Sequence, residues 1–355
     1  MLALDEHLTL QQSIEHAGGR LITSTSHDEH HPLHGCRTRF TLTCLVAKVH
    51  ERRGKRKLVQ TCPFPPAWIR PHDDGLLLVG RDGEVLNSNR DGQHLGQPVC
   101  PFPMALTHGV VLGSRLLATW MDHELRMARF AALDMNALVD GPSRASVRRG
   151  EVAALHPSGH LWSHALDAEP LALIEHHGSV VLALHPNALY LIDEEGRELE
   201  RTTLPEPLDS LGAGLVHLHS ENDETVLVTL RDGSSHRVSF DGSAAVPLGR
   251  LPSDQPIRDV AYGPQGRLLL TESHDALWLD GDTVRMTARL SGPPGQVLWS
   301  PEHEGWLIAG WRERVLLSSS GFKRMDQNNV DVAVYSRKSK VMIVDNDGTW
   351  SAFEA

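Results

Sequence analysis

One stretch constrains this chain more than any other: Pro256 to Gly292 reads as four strands in immediate succession. Ile257 to Tyr262 is apolar, Gly263-Pro264-Gln265-Gly266 turns, and Arg267 to Thr271 carries the core run Leu268-Leu269-Leu270. Ser273-His274-Asp275 turns again before Ala276 to Leu279, which holds Trp278. Asp280-Gly281-Asp282 is a tight turn of the kind a right-twisted hairpin favours, and Thr283 to Leu290 alternates polar and apolar residues. A unit this small has little core of its own, so a chain built from such units closes them into a ring. That reading says much about architecture and little about chemistry.

The unit recurs. Cys62-Pro63-Phe64-Pro65 returns as Cys100-Pro101-Phe102-Pro103, 38 residues later, which is the length of one four-stranded unit. Between them lie Trp68-Ile69-Arg70, the strand Leu76 to Val79, the turn Arg81-Asp82-Gly83 and the strand Glu84 to Asn87. First strands are expected again at Glu151 to Gly159, Ser179 to Asn187, Gly214 to Ser220, Ile257 to Gly266, Gln296 to Pro301 and Val330 to Ser336. The starts at Glu151 and Ser179 are crowded and read as one enlarged unit, which gives seven units, with eight as the alternative. The last unit supplies three strands, so an N-terminal segment is expected to complete it: the hairpin Arg37 to Cys62, or else Leu2 to Leu10. The domain plan is an irregular segment over 1–36 and one all-β domain over 37–355.

Turns such as His156-Pro157-Ser158-Gly159 and Gly263-Pro264-Gln265-Gly266 look like the Ser-Pro-Asp-Gly exit of WD-type repeats. On these residues the chain resembles the β-propeller superfamily of the divergent WD-repeat and quinoprotein-like kind, which implies four-stranded antiparallel blades around a central channel. It departs from the strict WD pattern, since Trp278 is followed by Leu279 and blade starts lack a Gly-His pair. A looser resemblance is to bacterial accessory propellers encoded beside MoxR-type ATPases and von Willebrand A-domain proteins. It implies a scaffold within a multiprotein complex.

Composition narrows the partners. A formal charge of −11 disfavours general attraction to nucleic acid or anionic lipid. No run approaches the roughly 18 apolar residues that a membrane helix needs, and the start of the chain lacks a signal-peptide pattern, so a cytoplasmic protein is expected. Cys36, Cys44, Cys62 and Cys100 contain no C-x-x-C pair and read as reduced thiols.

Three side-chain sets offer chemistry. His27, His30, His31, His34 and Cys36 form a cluster whose imidazoles and thiolate suit zinc, the one cofactor the sequence suggests; it meets no zinc-finger spacing, and a polar surface loop is the plainer account. His72, His108, His156, His185 and His219 fall near the ends of expected first strands, which would ring one mouth of the channel with imidazoles able to hold an anion or sense pH; a local turn role is the plainer account. Arg52, Arg53, Lys55, Arg56 and Lys57 make the one strong basic cluster, read first as a solvated hairpin tip, next as a contact for an acidic protein partner and last, given the net charge, as a contact for a nucleic-acid backbone. No G-x-S-x-G, phosphate loop, H-E-x-x-H or EF-hand loop occurs. The expected function is therefore a non-enzymatic protein-interaction scaffold, and the alternative is a propeller hydrolase or lyase with a metal ion in the channel.

Overall fold

Strand-forming runs separated by Asp-Gly and Gly-Pro turns fold here into consecutive antiparallel meanders. The computed structural model describes residues 61–72, 75–89, 92–204, 215–337 and 340–353. Blade 1 contains β1 (Pro66–His72), β2 (Gly75–Gly80) and β3 (Val85–Asn89), with bridges from Ser88 to His94 and from Val85 to Val99 along its outer side. Blade 2 contains β4 (Leu106–Leu112), β5 (Arg115–Asp122), β6 (Met127–Asp134) and β7 (His160–Leu166). Blade 3 follows with β8 (Pro170–His176), β9 (Ser179–Leu184), β10 (Ala188–Ile192) and β11 (Glu198–Thr203). In blade 4 the strands are β12 (Leu215–Ser220), β13 (Thr225–Leu230), β14 (Ser234–Ser239) and β15 (Val246–Arg250). Blade 5 is the founding repeat: β16 (Ile257–Gly263), β17 (Gly266–Thr271), β18 (Asp275–Asp280) and β19 (Thr283–Arg289). β20 (Val297–Ser300), β21 (Gly305–Ala309), β22 (Glu313–Ser318) and β23 (Gly321–Asp326) form blade 6. Among the described residues blade 7 has three strands, β24 (Asp331–Arg337), β25 (Lys340–Asp345) and β26 (Trp350–Ala352). The protein is a seven-bladed β-propeller.

Burial follows position in the blade. Second strands such as β2 and β21 are buried along their whole length, whereas the outer strand β15 is exposed at every residue. Among the described residues, six of the seven seams between blades have an apolar cluster drawn from both neighbours. Leu77, Phe102, Trp120 and Leu133 join blades 1 and 2, and Trp278, Leu290, Trp306 and Leu317 join blades 5 and 6. Close approach across these seams leaves no room for a methyl group: a Cβ on Gly263 would lie 2.9 Å from the Trp306 ring, and one on Gly109 would lie 2.7 Å from Trp68.

The ring closes through the same kind of contact. Cys62, Phe64, Ile69, Leu78 and Leu86 from the start of the ring pack with Ala333, Tyr335, Val344 and Trp350 of blade 7. Thr61 forms an antiparallel bridge with Thr349, and the Cys62 amide donates to the Gly348 carbonyl at 2.7 Å, beside the outermost strand of blade 7. Of the expected donor hairpin, only Thr61 and Cys62 fall among the described residues. The repeated Cys-Pro-Phe-Pro tetrapeptide now has a physical meaning. Each copy immediately precedes an innermost strand and inserts its phenylalanine, Phe64 or Phe102, into the seam beside that strand.

Two expected first strands are corrected. Glu151 to Gly159 belongs to the long connection from β6 to β7, which holds a helix α1 (Arg144–Arg148) and a 3-10 turn (Val152–Leu155). Arg144 bridges back to the buried Asp122 at 2.9 Å, and Arg148 to Glu124. Ser179 to Leu184 is the second strand of blade 3, whose innermost strand is β8. Continuous apolar character marks a strand buried on both faces, so β9 outshone β8, which shows its alternate residues to the channel.

If the closing seam is as tightly packed as the others, Phe64→Ala and Trp306→Ala destabilise by comparable amounts. About 3–5 kcal/mol each is expected, read as a drop in urea unfolding midpoint. A loss at Phe64 well under 1 kcal/mol would mean that the seam does not hold the ring.

Candidate functional site: the central channel

Innermost strands surround a channel of about 660 Å³. In six of the seven, pairing with the second strand slips by one residue near the start: between Pro66 and Trp68, Leu106 and His108, Pro170 and Ala172, Leu215 and His217, Ile257 and Asp259, and Asp331 and Ala333. A bulge of this kind leaves one residue outside the ladder and re-aims its neighbours. Ala67, Leu171, Arg258 and Val332 occupy such positions and line the channel. Beyond the bulge the strand alternates, so His217 and His219 face the channel together.

The charged groups divide into engaged and unengaged. Asp259 takes the Nδ1 hydrogen bond of His217 at 3.0 Å and its own neighbour's amide, from Val260, at 2.8 Å. Asp331 is almost wholly buried and is gripped by both arms of Arg314, at 2.7 and 3.1 Å. Burial pushes the Asp331 carboxyl up in pKa, and the Arg314 guanidinium opposes this. Arg70 and Arg258 also line the channel, yet neither forms a hydrogen bond or ion pair with a described residue; Arg70 lies 5.7 Å over the Trp68 ring. Surrounding protein lowers the Arg70 pKa, with Asp259 acting against that shift.

Imidazoles complete the wall. His108 donates through Nε2 to the Pro170 carbonyl at 3.2 Å, which fixes its tautomer. Burial holds its pKa below the ordinary histidine value; nearby Arg70 adds to this, while the Pro170 bond and Glu169 oppose it. His219 stacks face to face on Tyr262 at 3.8 Å and is likewise lowered, first by burial and then by His217.

Of the five histidines expected at one mouth, two reach the channel, His108 and His219. His72 ends β1 and contacts Asn87 at 3.1 Å. His156 lies in the β6–β7 connection stacked on His160, and His185 is exposed beyond β9. These last two misplacements follow from the corrected strand assignments above. The expected zinc set His27, His30, His31, His34 and Cys36 and the basic set Arg52, Arg53, Lys55, Arg56 and Lys57 lie outside the described residues. Among the described residues no three His, Cys, Asp or Glu side chains converge as metal ligands, and Cys62 is a buried free thiol whose pKa burial pushes up to about 11. Sequence reading missed Arg70, His217, Arg258, Asp259, Tyr262 and Trp311. For His217 a signal was available: it stands two residues before His219, on the same face of the strand.

Solved WD40 and BamB β-propellers share this fold. The WD40 propeller domain of Doa1 superposes with a TM-score of 0.59 at 14% identity, over 83% of this chain and 95% of that one. The Cps50 (Swd1) propeller domain of Myceliophteria thermophila gives 0.59 at 11% identity over 83% and 98%, and BamB from Moraxella catarrhalis gives 0.51 at 13% over 84% and 99%. No family model matches the chain, and no curated protein matches it. At such identities the likeness defines the fold alone.

Depressed histidines leave a signature in stability. The unfolded chain takes up protons near pH 6.5, while His108 and His219 in the folded channel take them up only at lower pH. Stability therefore falls as pH drops below about 6.5. Melting temperatures measured across that range should decline less steeply for His108→Gln with His219→Gln than for the parent chain; equal slopes would show that these two imidazoles do not titrate abnormally.

Proposed function

We propose that this protein is a non-enzymatic scaffold, an adaptor propeller that holds other proteins within a cytoplasmic complex of the ATPase-associated kind. The observation that carries the reading is Trp311. It stands half exposed, at 50%, in the turn between the second and third strands of blade 6, beside Pro293 and Pro294 at the channel wall. A solvated indole next to arginine is the composition of an interface anchor rather than of an inert surface. Leu125 is also exposed, in the corresponding turn of blade 2. In an antiparallel meander, the second-to-third turns of all blades lie on one face, so both side chains mark the same side of the ring. The next residue in that turn, Arg312, has φ +59, a left-handed conformation that non-glycine residues seldom adopt. The basic set at Arg52, Arg53, Lys55, Arg56 and Lys57 supplies a second contact, for an acidic protein surface.

Quantitative affinity purification from the native host tests this. Proteins retained at near-stoichiometric amounts by the parent chain should fall at least about fivefold with Trp311→Ala, a loss of roughly 1 kcal/mol, while its melting temperature holds. Charge reversal at Arg52, Arg53 and Lys55 should release a separate subset. A chain that migrates as a free monomer in host extract overturns the scaffold reading, and so does stoichiometric calcium or zinc in the purified protein. An ATPase among the retained proteins supports the finer assignment; its absence removes that part alone.

A further inference from the structure

The unengaged charges in the channel are positive. Arg70 reaches in from β1 and Arg258 from the bulge of β16, and among the described residues neither meets a carboxylate. Both channel acids are already satisfied, Asp259 by His217 and a backbone amide, Asp331 by Arg314. The asymmetry is strongest at Arg70. Its side chain is exposed to the channel and backed by the Trp68 ring at 5.7 Å, which leaves the donors of the guanidinium open to an incoming anion. Guanidinium is also the side chain best shaped to receive two oxygens of a phosphate or carboxylate at once.

Neighbouring groups extend that pocket. His108 spends its Nε2 proton on Pro170, which leaves Nδ1 as an acceptor for a ligand hydroxyl. Trp68, Tyr262 and Trp311 contribute aromatic surface to the wall. A volume of about 660 Å³ falls within the range of small-metabolite sites and well above what a single inorganic ion needs.

We infer that the channel is a binding site for a small organic anion bearing a phosphate or carboxylate group, with Arg70 as the anion-receiving residue and Arg258 as its partner nearer the strand start. This site shares Trp311 with the scaffold reading but does not rest on it: its centre is Arg70 and Arg258, which the partner contact does not use.

Titration calorimetry of the full chain against inorganic phosphate, pyrophosphate and citrate at near-physiological ionic strength is the test. One of the three should bind with one-to-one stoichiometry, and the preferred probe tells phosphate chemistry from carboxylate chemistry. Arg70→Gln should weaken that binding about tenfold or more, Arg70→Lys should weaken it less because charge is kept while the fork is lost, and Arg81→Gln, on the exposed turn after β2, should leave it unchanged. Melting temperature recorded without ligand separates lost binding from lost folding. The inference is overturned if none of the probes binds at millimolar concentration, or if Arg70→Gln and Arg70→Lys both bind like the parent chain. Equal weakening by Arg81→Gln and Arg70→Gln also overturns it, since that reports diffuse attraction to surface charge.

Discussion

Blades of this ring bury apolar side chains against their neighbours, so a blade is stable only with the blades beside it in place. That requirement governs the rest of the structure. Second strands contribute the seam clusters and are buried at nearly every residue; outer strands, with one edge in solvent, carry the polar sequence. Because burial is shared among seams, the free energy of the fold depends on the ring being complete, and a single open seam would expose two apolar faces at once. The packing of Phe64 and Trp350 at the join is therefore the same physics as the packing of Trp278 and Trp306 between blades 5 and 6, applied between the first and last blades.

The channel is a by-product of that packing and obeys different rules. Innermost strands give alternate residues to the seams, Ile69, Leu218 and Val260 among them, and the others to the channel, where Arg70, His217 and Asp259 sit. The seam residues are constrained to be apolar, while the channel residues are constrained only by their mutual electrostatics. This is why polar and ionic groups concentrate there without breaking the core.

Much of the architecture was legible in the sequence because seams need apolar strands and blades need tight turns, and both leave local marks. Leu268-Leu269-Leu270, the Asp-Gly turns and the paired Cys-Pro-Phe-Pro tetrapeptides all report directly on burial or backbone geometry. Blade 3 was harder. The alternating innermost strand Pro170–His176 gives a fainter signal than the uniformly apolar Ser179–Leu184 beside it, and an unusually long β6–β7 connection drew an expected first strand onto Glu151 to Gly159. Channel chemistry was the least legible part, because it arises from residues scattered over several blades. His217 and Asp259 stand 42 positions apart yet share a hydrogen bond, and nothing local in either stretch announces the other. Histidine frequency misled in the same way: His156 and His185 look equivalent to His108 along the chain but occupy other parts of their blades.

The bulge that recurs in six innermost strands separates two demands that a regular strand would couple. In an uninterrupted ladder, the side chain facing the channel is bound to the pleat, and altering it disturbs residues packed on either side. A residue held outside the ladder carries no such obligation. The positions of Ala67, Leu171, Arg258 and Val332 are accordingly places where one propeller can be given a new interior without rebuilding its walls. They form a ring of writable sites around a fixed frame, and the mixture they already hold, from alanine to arginine, shows how wide a range of chemistry the frame tolerates.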